Sequence, residues 1–132
     1  LLFHSDRKQG HGGTDLWIAH RDARDKPFNL AENLGPRINT LDHEGGAALS
    51  SDGLTLLFHR FAADTAELTH WQTTRRSTRD PFNEPQPLFV PGLIEHRGFS
   101  LNLSASADTL YCATTRGGSS VNIAVSRRVR KP

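Results

Sequence analysis

The sequence predicts an all-β chain, and three observations carry that expectation. Short runs rich in β-branched, aromatic and leucine residues are closed by clusters of Gly, Pro, Asn and Asp, the pattern of strands between turns. No stretch sustains the apolar period of a helix. The chain also repeats itself at an offset of 54 residues, which aligns Trp17 with Trp71, Arg21 with Arg75, Leu34 with Leu88, and Pro27-Phe28-Asn29 with Pro81-Phe82-Asn83. The same offset carries Leu49-Ser50 onto Leu103-Ser104 and Thr55-Leu56 onto Thr109-Leu110. LLF at 1–3 matches LLF at 56–58 at an offset of 55, and Trp71 is aligned with Ile123 at 52, since loops absorb insertions that packed strands do not.

Each repeat supplies four strands. The clearest are LLFHS (1–5), LTLLFHR (54–60) and DTLYCAT (108–114), each followed by a partner: DLWIAHR (15–21), ELTHWQTT (67–74) and VNIAVSR (121–127). GAALS (46–50) and FSLNLS (99–104) precede the second and third of these through the turns Ser51-Asp52-Gly53 and Ser106-Ala107-Asp108, where Asp and Gly tolerate the backbone that tight turns demand. A weaker fourth strand follows each Pro-Phe-Asn triplet, at Leu30–Leu34 and Glu84–Val90. With the strands labelled A to D, the chain reads B-C-D, A-B-C-D, A-B-C. A four-stranded antiparallel unit repeated at this spacing is a β-propeller blade, whereas a β-sandwich has no reason to repeat Trp, Pro-Phe-Asn and Leu-Ser at one offset. The expectation is a β-propeller fragment of about two and a half four-stranded antiparallel blades in a single partial domain, 1–132. Its parts are a blade remnant at 1–40, a full blade at 41–94 and an incomplete last blade at 95–132.

Composition bounds the function. The 132 residues are enough for one small domain, and 36% apolar with 23% charged residues is globular material. No apolar run approaches the about 20 residues of a membrane-spanning helix, so no membrane insertion is expected. A net charge of +2 is too weak to argue for nucleic acid, and its one local excess, Arg127, Arg128, Arg130 and Lys131, reads as a solvated tail. The lone Cys112 excludes an internal disulfide and a multi-cysteine zinc site. A closed propeller takes about 4–8 blades, and the chain opens at Leu1 without any Met. The expectation is therefore that further blades, needed to close the ring, lie upstream.

The strings LLFHSDR (1–7), GGTDLWIAHR (12–21), PFNLAENLGPRINT (27–40) and LSSDGLTLLFHR (49–60) resemble the WD-repeat-like propeller repeat of the bacterial TolB type. The family's Ser-Asp-Arg after the second strand stands here as Ser5-Asp6-Arg7, while the next repeat has His59-Arg60-Phe61, and Gly12-Gly13 has no counterpart near Ala66-Glu67. The resemblance implies a noncatalytic surface for protein or small-ligand contact, often joined to signalling kinases or envelope proteins. It makes a periplasmic or cell-envelope location an expectation as well.

Candidate chemistry is sparse. The histidines His4, His11, His20, His43, His59, His70 and His96 are scattered, and Asp42-His43-Glu44 is a poor chelate because neighbouring strand residues face opposite ways. No Gly-x-Ser-x-Gly elbow is present. Cys112 falls where Phe3 and Phe58 fall and reads as a core substitute. In Ser50-Ser51-Asp52-Gly53, followed by Thr55 and Phe58, the carboxylate caps its own turn, the glycine allows positive φ and the aromatic ring anchors the next strand. Trp17 and Trp71 read as core positions, with a carbohydrate-stacking platform as the alternative. The structural repeat positions are thus Trp17, Trp71, Phe28, Phe82, Asp52, Gly53 and Phe58; catalytic, metal and cofactor assignments are none, and the binding residues are unassigned. The best contact surface is the glycine-rich loop Arg7–Gly13 with Lys8 and His11. The functional expectation is a noncatalytic binding or scaffolding module that contacts a protein partner or another domain of its parent chain. The alternatives are part of a propeller enzyme acting on glycans, hydrolase or lyase, and a structural cap over a catalytic domain.

Overall fold

The computed structural model describes residues 1–89, 97–105, 108–115 and 121–127. Val90, His96 and the basic run Arg128–Lys131 lie outside the described residues, and Cys112 and Ile123 are described through their backbone pairing. Among the described residues there are ten strands and no helix: β1 (Leu2–Ser5), β2 (Asp15–Ile18), β3 (Glu32–Asn33), β4 (His43–Leu49), β5 (Thr55–Ala62), β6 (Glu67–Thr74), β7 (Gln86–Pro87), β8 (Arg97–Leu103), β9 (Thr109–Thr115) and β10 (Val121–Arg127). They form three antiparallel sheets in the orders β1-β2-β3, β4-β5-β6-β7 and β10-β9-β8. The weak fourth strands shrink to two residues each, since Pro85, Pro87 and Pro36 remove backbone donors at or beside them. The strands before the Ser-rich turns start earlier than expected, at His43 and Arg97.

The repeat is written into the pairing register. Glu44–Arg60, Ala48–Leu57 and Leu49–Leu56 in the β4–β5 ladder become Gly98–Thr114, Asn102–Tyr111 and Leu103–Leu110 in the β8–β9 ladder, every partner displaced by 54 positions. Each ladder carries a register shift, between Gly45 and Ala48 in one and between Gly98 and Ser100 in the other. The two shifts lie close together in the repeat without falling on the same residues, and a bulge fixes the register of the strand around it.

One alignment is corrected. Phe3 pairs with Trp17 and Phe58 with Trp71, but Cys112 pairs with Ala124, while Ile123 sits opposite Ala113. The position equivalent to the tryptophans is therefore Ala124. A slip of one residue moves a side chain to the other face of its sheet, so Ile123 is not evidence for what surrounds Trp17 and Trp71.

Burial follows the alternation of the strands. Along β5, Leu56, Leu57 and Phe58 are consecutive and all buried, so both faces of the middle sheet are covered. Leu56 and Phe58 join Leu16, Ile38 and Phe82 in one cluster, with Leu2, Leu34, Ala47 and Leu49 packed against it. Leu57 joins Ala48, Leu101 and Leu110 in the other, with Leu88 and Leu103 beside it. Five members correspond: Leu2, Leu34, Ala47, Leu49 and Leu56 in the first match Leu57, Leu88, Leu101, Leu103 and Leu110 in the second at the repeat offset. β4 thus lies against β1 and β2 of one neighbouring sheet and against β8 of the other.

The turns are built alike. Ser50 Oγ donates to Asp52 Oδ1 (2.6 Å), the Leu54 amide donates to the same oxygen (2.9 Å), and Gly53 adopts φ +73°, which disfavours any side chain there. These bonds hold the Asp52 carboxyl below its ordinary range, the Ser50 bond first. After the third strands, Arg21 lies 4.8 Å over the Phe28 ring and Arg75 4.4 Å over Phe82, and the amides of Asn29 and Asn83 return to the carbonyls of His20 and Thr74.

Leu57→Ala should lower the unfolding free energy by about 2–5 kcal/mol, because the neighbouring sheet cannot collapse fully into the space left. Leu41→Ala, at an exposed position, should change it by less than about 0.5 kcal/mol. Urea titration with equal slopes for both variants checks the comparison.

Candidate functional site

Strands β1, β4, β5 and β8 border a cavity of about 500 Å³, whose lining includes His4, Thr14, His43, Glu44, His59 and Asn102 from all three sheets and the loop before β2. Two glycines make room for its rings. A Cβ at Gly13 would strike the His43 imidazole, and one at Gly45 would stand 2.9 Å from His59 Nε2. The Thr14 amide donates to His43 Nδ1 (3.2 Å), which makes that nitrogen an acceptor. The Thr14 hydroxyl donates to the Glu44 carbonyl at 3.2 Å.

His59 is pushed down to about 4, by burial first and then by the neighbouring imidazoles of His70 and His4. Its Nδ1 is buried without a hydrogen-bond partner. The ring is neutral at physiological pH and leaves one polar atom unsatisfied, an arrangement that costs stability.

Glu44, fully buried, is held from two sides. Its Oε2 accepts from the Thr40 amide (3.0 Å), its Oε1 accepts from the Thr40 hydroxyl (2.6 Å), and Arg60 Nε stands 3.3 Å from Oε1 without hydrogen-bond alignment. Burial raises the Glu44 pKa, and the Thr40 bonds and Arg60 act against it. Arg60 also donates from Nη2 to the Ile38 carbonyl (2.9 Å) and lies 4.5 Å over the Trp71 ring. Asp15, the other buried acid near Glu44, accepts from the His11 amide (2.6 Å), the Gly12 amide (3.3 Å) and Asn33 Nδ2 (2.7 Å). Asn39, buried, accepts from the Leu16 amide (2.9 Å) and donates to the Leu16 carbonyl (3.0 Å), replacing a strand partner there.

These contacts decide the fate of the expected residues. The loop Arg7–Gly13 is tied down through Asp15 and through the Gly13 amide, which donates to the Asp42 carbonyl (3.0 Å); Lys8 and His11 remain exposed. Arg7 folds back over Phe3 and Trp17, at 4.8 and 4.9 Å. Trp17, Phe58, Phe82 and Gly53 are buried, Trp71 is half-buried, and Phe28 and Asp52 are exposed. None of these seven lines the cavity, and Asp6 is likewise away from it. His4, His43 and His59 meet there although they are far apart in sequence, and only the glycines at 13 and 45 signal that imidazoles would press on the backbone. Among the described residues, no set of three His, Cys, Asp or Glu side chains is placed to hold a metal ion. No family model matches this chain, and no curated protein matches it significantly.

The histidine gives a pH test. The unfolded His59 ring takes a proton near 6.5 and the folded ring resists to about 4, so folded-state stability falls as pH drops through that interval. Urea titrations of wild type and His59→Gln should diverge there, wild type losing about 1–2 kcal/mol more, a figure reduced for the ring's partial exposure. Parallel curves would disprove the burial cost assigned to this ring. Asn39→Ala should cost about 1–3 kcal/mol at any pH, because the Leu16 amide loses its partner while the Leu16 carbonyl keeps the Leu34 amide.

Proposed function

We propose that the chain is a segment of a β-propeller of the TolB-like type, acting as a noncatalytic binding module whose ligand or protein partner engages the cavity bordered by β1, β4, β5 and β8. One observation carries the reading: the apolar contact between the first and second sheets recurs between the second and third at five corresponding positions. Sheets that stack through one repeated contact, each covering one face of the next, are how propeller blades are assembled.

The noncatalytic part is supported by what the acids are doing. Glycoside hydrolysis needs two carboxylates across the scissile bond, one free to protonate and one free to attack or activate water. Glu44 lines the cavity, and its raised pKa is what a general acid needs. That observation alone favours the glycan-enzyme alternative. Against it, both Glu44 oxygens are engaged by Thr40, and Asp15 is bound by two amides and Asn33. Tied-down loops and the buried, neutral His59 ring around a preformed cavity suit recognition better than proton transfer.

Amide NMR titration of the chain against a panel of short peptides, nucleotides and oligosaccharides tests this. Binding should shift Thr14, His43, Gly45 and Asn102 with no change in the added compound. Release of reducing sugar that Glu44→Gln abolishes would overturn the noncatalytic reading, and shifts confined to the outer loops would displace the site.

A further inference from the structure

A second cavity, of about 560 Å³, opens between the edge strand β3 and the loop that joins β6 to β7. Glu32, Pro36 and Arg37 line it from the first sheet and the segment after β3, and Arg75, Arg79 and Asp80 line it from the second sheet and its loop. It shares no lining residue with the cavity around His59. β3 and β1 lie at opposite edges of their sheet, so a strand added beside β1 would leave these walls as they are. Both walls are anchored on Phe82, which is buried. Arg37 Nη1 donates to its carbonyl (2.8 Å), and the Arg75 guanidinium lies 4.4 Å over its ring while Nε donates to the Gly53 carbonyl (2.7 Å). Each guanidinium thus has a fixed place, with one of its five N–H groups committed to a hydrogen bond among the described residues.

The charges on these walls are incompletely matched. Arg75 is half-buried, and burial lowers its pKa while the Asp80 carboxylate acts against that shift. Among the described residues neither Arg75 nor Arg79 forms an ion pair, and Arg37 meets Glu84 only at 4.0 Å with both side chains exposed. The lining holds three arginines and two carboxylates, Glu32 and Asp80, so the excess charge is positive and small. Guanidiniums held on two walls suit a tetrahedral oxyanion, whose several oxygens can be divided between two forks. Carboxylates beside them accept hydroxyl donors and repel a polyphosphate. The volume falls within the roughly 300–1,000 Å³ of small-molecule sites. We propose that this cavity is a second binding site, for a small hydroxylated phosphate monoester, with Arg37 and Arg75 on the phosphate and Glu32 and Asp80 on the hydroxyls of its body. The inference goes beyond the reading of the first cavity and does not depend on it.

The probes are glycerol phosphate and glucose phosphate, titrated into the whole chain at constant ionic strength. At least one should bind saturably, shift the amides of Gly35, Arg37, Arg79 and Asp80, and bind more tightly than inorganic phosphate or the parent alcohol. Arg37→Lys keeps the charge and loses the fork, so it should weaken binding about tenfold, nearly as much as Arg37→Gln. Glu84→Gln removes the exposed carboxylate beside Arg37 and should tighten binding about twofold, a gain that misfolding cannot produce. Wild-type affinity in Arg37→Lys overturns the proposal, because charge alone would then account for binding. So does failure of both esters to saturate, inorganic phosphate that binds as tightly as they do, or ATP that binds more tightly. Shifts at His43 and Gly45 with none at Arg37 or Asp80 overturn this second site and leave the binding-module reading of the first cavity in place.

Discussion

Consecutive burial of Leu56, Leu57 and Phe58 is the constraint from which the architecture follows. Successive residues of a strand point to opposite faces, so the sheet that holds these three is apolar on both faces. Two layers cover only one face each, so a third sheet is required. The two apolar clusters are that requirement met twice by the same contact. The first and third sheets repeat the pattern in weaker form: Leu1 and Phe28 are exposed where Leu56 and Phe82 are buried, and Tyr111 is exposed where Leu57 is buried. The middle sheet is the one whose both faces meet a neighbour.

Stacked sheets bring polar groups into the interior at their inner ends, and each must be matched there. Asn39 accepts from the Leu16 amide and shares the Leu16 carbonyl with the Leu34 amide, and also donates to Asn33 Oδ1 at 2.8 Å, which in turn accepts from the Gly35 amide. Asp15 closes the loop before its own strand by binding the amides of His11 and Gly12. Rigid loops over a cavity are the result. His59 is an exception to this matching, as are Trp17 Nε1 and Arg60 Nε, each a buried nitrogen without a hydrogen-bond partner, and the uncompensated His59 nitrogen beside the cavity marks where local stability has been given up.

The strand pattern was legible because it depends on residues near in sequence: Asp-Gly turns, alternating apolar positions and a period that survives loop changes. ELTHWQTT and VNIAVSR match β6 and β10 to the residue. The cavity was not legible, because His4, His43 and His59 are brought together by sheet stacking, which no local signal encodes. Glu44 was set aside as one member of a loose Asp-His-Glu triplet, and its partner Arg60 lies across a strand ladder whose register only coordinates supply. The alignment of Trp71 with Ile123 failed for a related reason. A loop that is shorter by one residue shifts the ladder, and apolar character at both Ile123 and Ala124 gave no hint of which one faced Cys112.

The register also explains why the third sheet departs from the second at four positions together. Glu44 sits opposite Arg60, and Phe58 opposite Trp71, with the guanidinium laid over both rings at 5.5 and 4.5 Å. At the equivalent places the third sheet has Gly98 opposite Thr114 and Cys112 opposite Ala124. A buried carboxylate without its cation is strongly unfavourable, and a guanidinium without rings beneath it forfeits about 0.5–2 kcal/mol. The four positions therefore change as one unit, and losing one member removes the reason for the others. The first sheet keeps the rings, Phe3 and Trp17, with Ser5 in place of Arg60, and there the cation arrives from a different position, Arg7. What persists between those two sheets is a guanidinium over a Phe–Trp pair, fixed by where charge is needed in space and free to come from either strand or loop.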